Sequence, residues 1–131
     1  MAKESMFKGK TEKDFTDISI ADYAKLTNAR QRRSLKRGFT EEHKKLLAKI
    51  KKFKEGSIKK NIKTHCRDMI VVPEMLGTTI FIHTGKEFVP VIISVEMLGH
   101  YLGEFTLTRR KVAHSAPGVG ATKSSSATTK K

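Results

Sequence analysis

The sequence predicts an α+β domain: a small antiparallel or mixed β-sheet core, short helices packed on it, and extended basic arms at both ends. Three observations predict it. First, the β-branched runs Thr78–His83 and Glu87–Ile93 are separated by Thr84-Gly85-Lys86, a hairpin turn in which Gly85 supplies the positive φ. Second, the chain before them places apolar residues at helical spacing. Third, cations avoid this centre. Residues 1–70 hold 20 basic and 9 acidic side chains (+11), residues 71–104 hold 1 and 4 (−3), and residues 105–131 hold 6 and 0 (+6).

With 131 residues, 37% of them apolar, the chain builds one domain with a modest core. We divide it into a basic arm (1–16), a single domain (17–110, helical over 17–55 and a β-hairpin core over 62–105) and a flexible tail (111–131). Residues 1–16, polar apart from the isolated Phe7 and Phe15, read as an extended or partner-ordered arm. Ile18, Ile20, Ala21, Tyr23, Ala24 and Leu26 then form a two-turn helix, with Ser19 and Asp22 as a capping box. Thr27 is the expected N-cap of a second helix, Asn28–Arg37, closed by Gly38. It carries Arg30, Arg32, Arg33, Lys36 and Arg37 with no acid among them, so it is easiest to justify beside phosphates.

Thr40 caps a third helix that ends before Gly56. Glu41 and Glu42 sit in its first turn, lysines near its end, and Leu46, Leu47, Ile50 and Phe53 form one apolar stripe. His43 falls off that stripe and is expected at the surface. Residues 55–63 read as a polar connector, and Met69–Val72 as extended chain ending at Pro73. Pro90, inside the second hairpin strand, requires an edge or a bulge. Ser94 begins a last short helix, Val95–Leu98, stopped by Gly99. Lys111–Lys131, without acids or apolar periodicity, is expected to be disordered in isolation.

A net charge of +14 and a pI near 10.1 imply a polyanionic partner, with nucleic acid leading. One cysteine, Cys66, forms no internal disulfide and no multi-cysteine zinc site, which fits a reduced, cytoplasmic setting. No run resembles a signal peptide or a spanning helix, so no membrane role is expected. Neighbouring His65 and Cys66 point to opposite faces of an extended chain and cannot easily pair as base and nucleophile; a different histidine could serve, but no third orienting group is identifiable from the sequence. The five histidines lack metal-ligand spacing, and no glycine run matches a phosphate loop. We therefore expect no catalysis, no metal and no cofactor.

One longer pattern is specific. Thr84-Gly85-Lys86, six residues, Ile93, four residues, Leu98-Gly99, two residues, Leu102-Gly103-Glu104-Phe105, two residues and Thr108 closely resembles a known signature. It is that of the universal small-subunit ribosomal protein family numbered nineteen in bacteria and fifteen in eukaryotes. Ala29–Gly38, Thr64–Ile70, Pro73-Glu74-Met75 and Gly77 are similar to its archaeal and eukaryotic branch, and the likeness runs from Ile18 to Thr122. At its end the chain departs from the branch, running SATTKK where the branch closes on apolar residues and proline.

The resemblance implies a non-enzymatic protein of the small-subunit head that binds small-subunit ribosomal RNA. Its implied neighbours are ribosomal protein thirteen, the A-site transfer RNA and, across the intersubunit bridge, the large subunit. By matched position, Lys86, Gly99, His100, Tyr101, Gly103 and the exit Thr108, Arg109, Arg110 and Lys111 would face RNA. Arg30, Arg32, Arg33, Lys36 and Arg37 match the basic helix, and Lys63, His65 and Arg67 the first core strand. The tail, with Gly118, Gly120 and Lys123, would approach the transfer RNA. A free-standing basic nucleic-acid-binding protein is the alternative. Shape and phosphate recognition should dominate, Tyr101 being the better tyrosine for a base contact. Removing Arg32 and Arg33 together should flatten the salt dependence by up to about two counterions.

Overall fold

The computed structural model describes residues 5–111, which form three α-helices and one mixed three-stranded sheet. Helix α1 (Ile20–Leu26) starts where expected: the Ser19 hydroxyl accepts the Asp22 N–H, and Ser19 Oγ also donates to the Asp22 carboxylate. Thr27 closes this helix instead of opening the next, its hydroxyl donating to the Ala24 carbonyl at 2.8 Å. Asn28 is the N-cap of α2 (Ala29–Arg37), one residue later than predicted, and Gly38 ends it at φ +90°. Helix α3 (Glu41–Lys54) is capped by Thr40 and stopped by Gly56 at φ +79°, with Leu46, Leu47 and Ile50 buried.

Strand β1 (Ile62–Thr64) runs parallel to β2 (Thr79–His83), which pairs antiparallel with β3 (Phe88–Ile92). β1 corrects the expectation of a polar connector through residue 63. Ile62, 4% exposed, pairs with Ile80 inside the core while Lys63 points out. Three residues are too few for alternation to stand out among lysines. Met69–Val72 is extended as expected, but it is buried on every side and joins only an isolated Ile70–Tyr101 bridge. Its backbone is held by Leu102 and His100: the Leu102 N–H donates to the Met69 carbonyl, and the Val71 N–H to the His100 carbonyl.

The hairpin closes through Thr84–Glu87, with Gly85 at φ +103°. Hydrogen-bonded pairs at Thr84/Glu87 and Thr78/Ile93 set the alternation, which leaves Phe81↔Pro90 a non-hydrogen-bonded pair. β3 is an edge strand, so the N–H that Pro90 lacks would have faced away from the sheet. The predicted helix after Ser94 is a single 3₁₀ turn, Val95–Met97.

The N-terminal segment differs most from its expectation. Instead of an extended arm, Glu12–Phe15 forms a 3₁₀ turn that puts Phe15, 2% exposed, edge-on to buried Tyr23, and Phe7 packs beside Phe15. His43 is also covered, its side chain 12% exposed between Asp68 and Phe39. One turn from Thr40, its ring lies edge-on to Phe39 and is mostly covered.

Tyr23 donates its phenol proton to the Val71 carbonyl at 2.7 Å. Burial pushes this phenol well above its ordinary value of 10.0, against a smaller opposing effect of the Gly99 backbone. The folded state thus favours the neutral phenol. Its stabilising contribution is complete below about pH 10 and declines as pH rises beyond it. In a Tyr101→Phe background, where Tyr23 is the only tyrosine, phenolate absorbance should appear only together with unfolding. Phenolate forming while the fold persists would contradict this burial.

Candidate nucleic-acid interface

Helix α2 presents Arg30, Arg33, Lys36 and Arg37 to solvent, and among the described residues no ion pair involves any of them. Arg33, Lys36 and Arg37 line an open depression of about 540 Å³ together with Ala29 and Arg32. Arg32 itself is turned inward. Its guanidinium donates to the carbonyls of Ala24 (3.2 Å), Thr27 (3.0 Å) and Lys25 (3.4 Å), gathering the C-terminal carbonyls of α1, of which Ala24 also accepts from Thr27. One helix therefore divides its cations between a free face and a brace.

Arg67 is a second brace. One terminal nitrogen donates to the His83 carbonyl (2.8 Å) and the Thr106 hydroxyl (2.7 Å), the other to the carbonyls of Gly103 (2.9 Å) and Thr106. These bonds tie the chain leaving β1 to the end of β2 and to the 3₁₀ turn Leu102–Phe105. Gly103 is part of the same joint: a Cβ there would lie 3.0 Å from both the Arg67 carbonyl oxygen and the Arg67 Cβ. Its bare backbone is used within the protein. Gly99, at φ +78°, turns the chain beside the Phe7 ring.

The remaining expected contacts gather at two places. Lys86 is exposed at the hairpin tip, and Arg110 reaches back to Glu87 at 2.8 Å, bringing the exit residues Thr108, Arg109 and Lys111, all exposed, toward that turn. Glu87 is the acid that offsets one of these cations. His100 is exposed and paired with Glu104 at 2.7 Å, while half-buried Tyr101 bridges to Ile70. Gly118, Gly120 and Lys123 lie outside the described residues.

Lys63 and His65 stand at the outer side of β1. The His65 ring lies against His83 (centroids 4.4 Å apart, 36° between planes), and Phe88 meets both rings edge-on. Lys63 Nζ sits 5.2 Å from the Phe88 centroid. Sequence reasoning missed what adjoins them: Lys45 and Lys49 of α3 line a depression of about 250 Å³ with Lys63 and His65, and Lys60 lines its neighbour. The spacing of Lys45 and Lys49, one helical turn apart and off the apolar stripe, was the available signal.

A family model described as Ribosomal protein S19 matches residues 33–114. The chain belongs to the ribosomal protein S19 family. It is also 50% identical over 125 residues, 95% of each chain, to the small ribosomal subunit protein uS19 of Nitrosopumilus maritimus (strain SCM1). This is a family of ribosomal proteins, structural rather than enzymatic. The S19 match opens at Arg33, within α2, and takes in the sheet, both depressions beside β1 and the Arg67–Gly103 joint. No group of histidine, cysteine, aspartate and glutamate among the described residues is arranged to hold a metal ion, and no helix there is long and apolar enough to cross a membrane.

Proposed function

We propose that this protein is a structural constituent of the small ribosomal subunit, acting in the cytoplasm by binding small-subunit ribosomal RNA in the subunit head. The observation that carries this reading is the row of exposed cations on α2, without an ion pair among the described residues, in a chain half identical to a small-subunit protein. Phosphate oxygens are the complement of such a row: several guanidinium groups fixed on one rigid helix lose little entropy on binding, and each releases a counterion from the RNA. The hairpin tip with Lys86 and the exit Thr108–Lys111 form a second cationic group on one side of the sheet. His100, Tyr101 and Gly103 follow the same segment. Ribosomal protein thirteen, the large subunit and the A-site transfer RNA are the proposed neighbours, the last near Gly118, Gly120 and Lys123.

Two measurements test it. Tagged full-length protein expressed in cells should sediment with small subunits and survive a high-salt wash. Nucleotide-resolution crosslinking in those subunits should join α2 and the hairpin tip to ribosomal RNA, and the tail to transfer RNA. A chain that stays at the top of the gradient while binding RNA and DNA alike would instead be a free-standing nucleic-acid-binding protein.

A further inference from the structure

We propose that the outer side of β1 is a subsite for one unpaired nucleotide of ribosomal RNA, its base stacking on His65 and its flanking phosphates meeting Lys45, Lys49 and Lys63. The proposal rests on the RNA-binding reading above and adds a place and a mode of recognition to it.

The ring is already in position. His83 holds His65 from one side at 4.4 Å, and Phe88 supports both from the edge at 5.2 and 4.8 Å. His83 is itself fixed, because its Nδ1 accepts the Gly85 N–H at 3.0 Å. His83 and Phe88 are half-buried while His65 is exposed, so the outermost ring of a preassembled aromatic group faces solvent. A base that stacks there meets a π surface that loses little freedom, and stacking tolerates any base because every base offers a π face.

The surroundings complement a phosphodiester. The depression of about 250 Å³ beside His65 is lined by Lys45, Lys49 and Lys63, with Glu42 as its one acid. The Glu42 carboxylate accepts the Cys66 thiol at 3.7 Å, which leaves the three lysines in excess. None of the three takes part in an ion pair among the described residues. Lys49 and Lys63 also border the adjoining depression of about 300 Å³, where Lys60 extends the cationic track. An A-form duplex would offer this track its phosphates but keep its base faces stacked inside the helix. An exposed ring beside the lysines therefore fits an unstacked nucleotide of a loop or bulge.

The test uses the full-length chain and a transcript of small-subunit ribosomal RNA, with binding measured across a salt series and 2′-hydroxyl acylation mapping the RNA. His65→Ala should bind about tenfold more weakly, and His65→Phe, which keeps a stacking ring, should stay within about twofold of the parent. The pair Lys45→Ala, Lys49→Ala should flatten the log–log salt dependence by about 1.4, two single-strand phosphate contacts. One nucleotide protected from acylation by the parent and by His65→Phe should become reactive with His65→Ala. Unchanged affinity and protection in His65→Ala overturns the subsite, as does a His65→Phe variant as weak as His65→Ala. An unaltered slope in the lysine pair overturns the phosphate contacts. In each of those cases the parent still binds the transcript; a parent that does not bind it overturns the RNA reading as a whole.

Discussion

Replacing Arg67 with methionine should lower the unfolding free energy by about 3 kcal/mol, read as a lower urea midpoint with an unchanged slope. Methionine keeps most of the aliphatic stem and removes only the guanidinium. That group serves the carbonyls of His83, Gly103 and Thr106 and the buried Thr106 hydroxyl. Each lost bond is worth about 1 kcal/mol net, and a desolvated acceptor left unpaired costs about 1–3 kcal/mol, so a shared loss of about 3 kcal/mol is a moderate figure. Gly103→Ala should damage the same joint from the other side, costing about 1–3 kcal/mol through overpacking against the Arg67 backbone. Because both changes break one contact, the double variant should lose less than their sum. A midpoint that does not move in Arg67→Met would mean that Arg67 is a free surface cation after all.

The second large effect is on binding. Changing Arg30, Arg33 and Arg37 together to alanine should flatten the salt dependence of RNA affinity by about 2–3 and weaken binding at low salt by about a hundredfold. The fold should survive, since alanine is the best helix former and the change relieves repulsion among like charges along α2. Arg32→Ala, one residue from Arg33, should behave differently. It releases the α1 carbonyls, so its main cost is about 1 kcal/mol of stability with a small change in slope. Equal slope changes for Arg32 and Arg33 would remove the distinction between brace and free face.

That distinction marks the limit of what the chain discloses on its own. Helix ends were legible because their chemistry is local: Ser19, Thr40, Gly38 and Gly56 each act within one turn of their own position. The hairpin was legible for the same reason, and Pro90 announced an edge. β1 was not, because three residues between lysines carry no period. Phe15 was not, because a single aromatic in a polar segment gives no pattern until Tyr23 is placed against it.

Among the site residues, the charge of α2 was legible but the allocation of its arginines was not. Which arginine braces depends on where α1 ends in space, and Arg67 depends on carbonyls up to 39 residues away. The Lys45–Lys49 depression exists only once α3 lies beside β1. The matched signature marks Gly103 without disclosing its packing against Arg67, which depends on a contact 36 residues away.

The outer row of β3 has a consequence for the protein before it meets any partner. An edge strand with an exposed isoleucine, Ile92 at 69%, is the sort of surface on which a second chain can add a strand and begin to aggregate. Pro90 leaves a gap in the middle of the outward N–H row, so an incoming strand finds no continuous ladder to extend. At the opposite edge, β1 is only three residues long. Both borders of the sheet are thus poor templates, and a strongly cationic chain awaiting its RNA can remain monomeric.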